Sequence, residues 1–437
     1  MCGESLISGL VAALKANNVA AAIVFIIMVW VGLPLVAPLL WAAFAGMVAN
    51  GHDPLIIAEA LYRGLDNLTL SAIVGFVLAG SLMGPSNLTE ELVACARHLV
   101  GKASGGLALV TILACLFFSC LSGSGGATTA AVGAIMIPAM MRAGYPADYA
   151  GTMAATGGVL GILIPPSIPM IIYAAQASVP ADKLFLAGVV PGLMLTALLM
   201  IAAWLDAKRR GLTDSGAGVE KNTPSLGSLI WQAKFALSLP IIILGGIWGG
   251  VFTPTEAAVT AVFWVLAVGL IRRRLTFKII SRAFTETSLL AGGAVILLAP
   301  ATALARYLAI VGAPQILAGH VASLAGGPIG FLFIMAGALF LCGLFADTIS
   351  MIAIMTPIFL PVAHLLGVDP IIMGLVFILC CEAGFLTPPF GGNLFIAARL
   401  SGSDLMSLSV AAIPYVIVIM LLTAAVILFP GLVLVFL

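Results

Sequence analysis

Two proline pairs, Pro165-Pro166 and Pro388-Pro389, stand inside stretches that are otherwise apolar. Each pair removes two amide donors from a helical ladder and leaves carbonyl oxygens without intrahelical partners. Small and hydroxyl-bearing residues flank both, in ILIPPSIP (Ile162 to Pro169) and GFLTPPFGGN (Gly384 to Asn393). Two more interruptions share that character: SGSGGATT (Ser122 to Thr129) and GLFADTIS (Gly343 to Ser350). Bared carbonyls, hydroxyls and a carboxylate are hard oxygen donors of the kind that suits Na⁺. At membrane depth irregular backbone persists only where it is buried or lines a cavity, and half-helix ends there bind ions and charged substrates. The expected cation ligands are therefore the oxygens of Ser122, Ser124, Thr128, Ser167, Asp347, Thr348, Thr387 and Asn393, with the backbone at Gly123, Gly126, Pro165, Pro166, Gly343, Gly384 and Pro388. For any single Ser or Thr, close helix packing by small residues is the competing explanation. Four related interruptions favour a site.

Asp347 is an ionisable group between apolar stretches, which makes it a candidate for a cation-site or gating role. The competing role is a helix cap, its carboxylate satisfying the amides that follow. Arg306 and Glu382 also fall within expected spans, where an ion pair or snorkelling accounts for them equally well, although Arg306 could help to hold an anion. Candidate substrate contacts are Ser124, Thr128, Ser167, Arg306, Asp347 and Asn393. Catalytic residues are not expected: the chain has no HExxH pair, GxSxG elbow or Walker-A loop, so transport would draw on a gradient.

The elements that position these residues follow from composition. Of 437 residues, 62% are hydrophobic and 8% charged, and the mean hydropathy is +1.23, whereas soluble domains carry about 25% charged residues. Such a chain could not cover its own surface in water, and its long apolar runs without period-2 alternation specify helices in a lipid bilayer. The runs fall near 19–49, 66–84, 105–121, 127–141, 150–177, 184–205, 235–251, 256–271, 286–311, 329–345, 348–366, 371–398 and 408–437. With a net charge of +1 and scattered basic residues, nothing points to nucleic acid. The seven cysteines (Cys2, Cys95, Cys115, Cys120, Cys342, Cys380, Cys381) show no metal-ligand spacing and read as free thiols, and the four histidines are too dispersed for a metal site. The opening MCGESLISGL lacks a basic n-region and a cleavage site, so it is expected to be retained.

A shift of 223 residues superposes Pro138 on Pro361, Gly144 on Gly367, Gly151 on Gly374, Gly161 on Gly384, both proline pairs, Ala174-Ala175 on Ala397-Ala398 and Ser178 on Ser401, without a gap. This register describes an internal duplication. The first repeat covers 1–205, with a hairpin at about 105–142 and a broken helix at about 150–177. A polar linker occupies 206–228, and the second repeat covers 229–437, with its hairpin at about 329–366 and broken helix at about 371–398. Lys and Arg collect in cytoplasmic loops, so Lys208-Arg209-Arg210 and Arg272-Arg273-Arg274 mark that side. Counting spans from there puts Arg97, Lys102 and Arg142 on the same side, which makes the first helix pair re-entrant, its turn at Ser122 to Gly126, while the second pair enters from outside. Two full crossings per pair is the alternative. Charge does not separate the two, but 127–141, about 15 residues, is short of the ~20 that a crossing needs.

These residues closely resemble the large membrane subunit of tripartite ATP-independent periplasmic (TRAP) transporters, through GLDNLTLSAIVGFVLAGSLM, SGSGGATTAAVGAIMIPAMMRAGY, GILIPPSIPMIIYA, LFLAGVVPGL, GGIWGGVFTPTEAAV, FADTISMIAIMTPIFLPVA and GFLTPPFGGNLFIAARLSG in order. The resemblance implies an all-α, inverted-repeat fold of the ion-transporter superfamily, with two re-entrant hairpins, two discontinuous helices and elevator motion of the hairpin-bearing domain. It further implies a multi-pass protein of the bacterial inner membrane that imports an organic anion, a carboxylate or sugar acid, with Na⁺ as coupling ion and no organic cofactor. Implied partners are a small four-helix membrane subunit and a soluble periplasmic substrate-binding protein. By the same resemblance one ion site joins the first hairpin tip to Pro165-Pro166, and another joins the tip near Asp347 to Thr387-Pro388-Pro389. Where family members often have a second serine this chain has Gly125 or Gly126, so its first site would lean more on carbonyls. A stand-alone Na⁺- or H⁺-coupled carboxylate symporter of the same superfamily is the alternative.

Overall fold

The structure, a computed structural model, describes residues 23–100, 105–212, 226–313, 315, 326–389 and 391–434. Cys2 and the N-terminal segment expected to be retained, Lys102, most of the polar linker with Lys221, and His320 lie outside the described residues. After a helical stretch at 23–30, the chain forms α1 (Val36–Ala49), α2 (Leu55–Leu65), α3 (Ser71–Met83), α4 (Leu88–Val100), α5 (Gly106–Ser122), α6 (Gly125–Arg142) and α7 (Ala147–Gly158). It continues through α8 (Leu160–Leu163), α9 (Ile168–Ala177), α10 (Ala181–Arg209), α11 (Leu226–Gln232), α12 (Lys234–Trp248), α13 (Pro254–Ile271) and α14 (Phe277–Ile296). The last helices positioning the site are α15 (Leu298–Ile310), α16 (Pro328–Gly343), α17 (Thr348–Leu365), α18 (Pro370–Phe385), α19 (Gly392–Ser401) and α20 (Leu405–Leu428). No strand occurs among the described residues.

Six helical segments among the described residues are long and apolar enough to cross a membrane, or seven if the bent pair α2 and Leu68–Met83 counts as one. The chain is thus an all-α polytopic membrane protein. Several of its helices begin where short polar side chains can bind orphan amides. Ser124 caps α6, Ser167 caps α9, Asp347 caps α17 and Asp369 caps α18, while Thr253 and Glu256 form a reciprocal capping box on α13. The apolar run expected at 127–141 is longer in the fold. Ser124 starts α6 at Gly125 and Pro138 is carried inside it, giving 18 residues, roughly 27 Å at 1.5 Å per residue. Length therefore does not separate a hairpin from a crossing. Two amphipathic helices, α2 and α4, lie where the sequence shows no apolar run.

The broken segments are the centre of the molecule. In the apolar window of Ala147–Ala177, 94% of residues are buried, against 33% for Pro254–Ile271, and every α18 residue from Ile371 to Gly384 is buried. Helices apolar on all sides belong at such a core. The peripheral helices α13 and α14 pack on α3, and α1 and α2 pack on α15, forming a second, smaller apolar cluster around Leu39, Ala43, Met47 and Tyr307.

The halves interlock through the segments after the breaks. α9, from the first half, packs on α17 of the second; α19, from the second, packs on α6 and α7 of the first. The Tyr173 hydroxyl donates to the Pro370 carbonyl at 2.7 Å, and the Thr152 hydroxyl donates to the Leu408 carbonyl at 3.1 Å. On the periphery, Arg272 at the end of α13 forms an ion pair with Glu91 of α4. Burial pushes the Glu91 carboxyl above the usual carboxylate range and the neighbouring guanidinium opposes that shift.

Glycine permits the central approach. A Cβ on Gly161 would lie 2.6 Å from both the Ser124 carbonyl oxygen and the Thr128 hydroxyl, whereas one on Gly245 would meet nothing within 4 Å. Gly161→Ala should destabilise the protein by about 1–3 kcal/mol through overpacking, seen as a lowered unfolding temperature in detergent. Gly245→Ala should leave that temperature unchanged or higher; equal behaviour of the two variants would show that the central approach is not tight.

Candidate functional site

Each helical turn meets the break of its own half. At the first, α5 ends on Gly123 in the left-handed conformation (φ +60°), and Ser124 then opens α6. The break runs from Ile164 through the proline pair to Ser167, which caps α9 by accepting from the Met170 amide at 3.3 Å. The two are joined by main chain: the Ile168 amide donates to the Gly123 carbonyl at 3.0 Å. A Cβ on Gly123 would come within 2.7 Å of the Pro166 carbonyl oxygen. The left-handed turn and this approach together demand glycine.

Three polar side chains organise that turn. The Ser122 and Thr128 hydroxyls lie 2.8 Å apart, and the Thr128 hydroxyl is also 2.9 Å from the Ser124 carbonyl. Ser122, Thr128 and Ser167 are buried; Ser124 is half-buried. Asn393 arrives from the other half at the start of α19. It is fully buried, its Nδ2 lies 3.3 Å from where a Cβ on Gly125 would stand, and neither polar atom of its side chain has a hydrogen-bond partner among the described residues. Gly126 faces Ile396 of the same helix. Carbonyls, hydroxyls and a carboxamide converge here without a fixed charge.

The second turn, Leu344 to Asp347, meets the second break differently. The Asp347 carboxylate accepts from the Ile349 and Ser350 amides, at 3.0 and 3.1 Å, and from the Ser350 hydroxyl. Its oxygens are thus engaged in starting α17. Thr348, beside it, donates to Glu382 at 3.0 Å. Gly343 and Gly384 pack backbone to backbone, a Cβ on Gly384 reaching 2.7 Å from Gly343. Thr387 turns its hydroxyl back to the Ala383 carbonyl at 2.8 Å, just before Pro388-Pro389, and Phe390 lies outside the described residues.

Sequence-chosen residues thus gather at two contacts: Ser122, Gly123, Ser124, Gly126, Thr128, Pro166 and Ser167 with Asn393 at the first, and Gly343, Asp347, Thr348, Gly384 and Thr387 at the second. Arg306 does not join them. It is exposed on α15, and no hydrogen bond or ion pair links it to either contact among the described residues. Glu382, read from sequence as a paired or snorkelling residue, is instead fully buried at the second contact. The signal for this placement in the sequence is slight: Glu382 precedes Gly384, the glycine of the second break, by one residue, Ala383. Among the described residues, no three His, Cys, Asp or Glu side chains converge to hold a metal ion.

The family described as tripartite ATP-independent periplasmic transporter, DctM component, matches residues 22–432. An isethionate TRAP transporter permease of Oleidesulfovibrio alaskensis is 35% identical over 90% of this chain, which spans 62% of that longer relative. The C4-dicarboxylate TRAP transporter large permease of Pseudomonas aeruginosa is 36% identical over 83% of this chain and 85% of its own. The 2,3-diketo-L-gulonate large permease of Escherichia coli is 35% identical over 92% and 95%. Among solved structures, the YdaH transporter of Alcanivorax borkumensis superposes with a TM-score of 0.64 at 15% identity, covering 86% of this chain and 87% of that one, a likeness of fold.

The hydroxyl pair offers a clean test of the first turn. Thr128→Val takes from the buried Ser122 hydroxyl its partner at 2.8 Å while the Ser124 carbonyl keeps the Thr128 amide, a loss of about 1 kcal/mol. Thr128→Ser should retain most of the stability. Unfolding in detergent measures both, and a loss confined to Thr128→Ser, with Thr128→Val unchanged, would mean that the methyl group, not the hydroxyl, matters.

Proposed function

The chain belongs to the tripartite ATP-independent periplasmic transporter DctM family, and from that premise we propose that this inner-membrane large permease imports a small organic acid by Na⁺-coupled secondary transport. The substrate class rests on relatives named for isethionate, C4-dicarboxylates and 2,3-diketo-L-gulonate, which share an ionised acid group. A periplasmic binding protein delivers that anion, and a small membrane subunit accompanies the permease. An intramembrane enzyme has no support in the residues gathered at the two contacts.

The observation that carries the mechanism is the contact of each turn with the middle of a buried, broken segment. The first break lies well inside the 31-residue stretch Ala147–Ala177, so a turn hydrogen-bonded to it belongs at membrane depth. This supports re-entrant hairpins over paired crossings. Duplication is supported by helix starts that keep the 223-residue offset, 125 with 348 and 147 with 370, and by the reciprocal packing of α9 on α17 and α19 on α6. In this reading the two hairpins and two broken segments move as one body, and the first cation sits among Ser122, Gly123, Ser124, Thr128, the Pro165-Pro166 carbonyls and Ser167. A second sits where Gly343 and Thr348 meet Gly384, Thr387 and Pro388. Asn393, with both polar atoms free, is the strongest substrate contact, and Ser124 and Thr128 lie close to it.

Na⁺ supplies the coupling gradient: binding it at the turns closes them over the substrate, so the anion and cation cross together. Proteoliposomes containing the permease and its small subunit should take up radiolabelled succinate, isethionate or 2,3-diketo-L-gulonate only with an inward Na⁺ gradient and a cognate binding protein. Uptake undiminished without Na⁺, or from free substrate alone, would overturn the coupling or the tripartite reading respectively.

A further inference from the structure

A fully buried carboxylate must be paired, protonated or bound to a cation, because a bare charge is strongly disfavoured away from water. Glu382 is such a group. Its Oε1 accepts from Thr348, its Oε2 has no partner, and it is 0% exposed. Four ion pairs occur among the described residues, Arg63–Glu59, Arg210–Asp206, Arg272–Glu91 and Arg282–Glu286, and none includes it. The carboxylate expected at this turn, Asp347, is already occupied by two amides and a hydroxyl. The carboxyl group with an unengaged oxygen at the contact therefore stands on the broken helix, not on the turn.

We infer that Glu382 is the anionic ligand of a monovalent cation held between the second turn and the second break, with the Thr348 hydroxyl beside it, and that Asp347 shapes the turn without binding the ion. One carboxylate balances one positive charge. The donor beside it is the Thr348 hydroxyl, and no three His, Cys, Asp or Glu side chains converge among the described residues to hold a transition metal. The close approach of Gly343 to Gly384 brings the turn and the break together at this carboxylate. A cation would thus bridge the turn, through Thr348, to the helix that carries Glu382. The inference rests on the Na⁺-coupled reading above and assigns its second charge.

Thermal unfolding of the detergent-purified chain in NaCl, against choline chloride at equal ionic strength, tests this without a transported substrate. Glu382→Gln keeps the shape and an acceptor for Thr348 but removes the charge. The variant should unfold at a higher temperature than the wild type in choline, because the buried charge is gone, and its Na⁺-induced rise should be about half the wild-type rise or less. Asp347→Asn should keep the full Na⁺-induced rise. If Glu382→Gln is not recovered, Glu382→Met, of similar volume and without a charge, is read in the same way. A Na⁺ response in the Glu382 variant equal to the wild type's overturns the assignment while leaving Na⁺ coupling intact. A wild-type chain indifferent to Na⁺ overturns the coupling and this inference with it.

Discussion

In lipid, a backbone amide released from a helix has no water to turn to, and each one left unpaired costs several kcal/mol. That constraint governs the centre of this protein. Pro165-Pro166 opens the first buried segment, and the amide of Ile168 finds the Gly123 carbonyl on a turn far earlier in the chain. The break is therefore tolerable only with the turn pressed against it. Gly123, Gly161 and, in the second half, Gly343 and Gly384 allow that approach, because a Cβ at three of these would stand within 3.0 Å of a neighbouring atom.

The same requirement explains why the halves interlock instead of lying side by side. A broken segment has two short helices whose exposed ends need cover, and α9 or α19 alone, at ten residues each, is too short to be stable without tertiary contacts. Each is covered by the hairpin helix of the opposite half. Separating the halves would bare α9 and α19 at once, so the central helices form one packed body surrounded by less buried ones. A rigid core within a looser, lipid-facing frame is what transport by relative motion needs, since motion then occurs between bodies and not within the binding contacts.

Much of this arrangement is legible in the residues. Proline pairs, small-residue turns and the 223-residue register locate both contacts, because interruptions in apolar runs are local signals. Partnership is not local. Nothing near Glu382 in sequence reports that Thr348 will donate to it, and nothing near Arg306 reports that α15 will leave it exposed. Asp347 is ambiguous for a similar reason: a carboxylate before a helix has one chemistry and two uses, and only geometry decides between capping and binding. The length of α6 escapes the sequence because GGATT reads as a break, whereas Ser124 draws those residues into the helix.

The internal register exposes a difference between the two contacts that similarity would hide. Ser124 and Asp347 occupy equivalent positions and do the same work, each capping the helix after its turn. The residues equivalent to Glu382, Thr387 and Asn393 in the first half are Val159, Ile164 and Met170, while those equivalent to Ser122 and Thr128 in the second are Phe345 and Met351. The register thus keeps the capping and the breaks, which folding demands, while the polar partners differ. The first contact is built from hydroxyls, carbonyls and a carboxamide donated by the other half; the second adds the buried carboxyl group of Glu382. On the proposed Na⁺-coupled reading, a cation at the first contact would leave a net positive charge beside Asn393, whereas one at the second would be balanced by Glu382. On that reading an anionic substrate would be attracted to the first contact when its cation is present, which would tie the order of binding to the asymmetry between the halves.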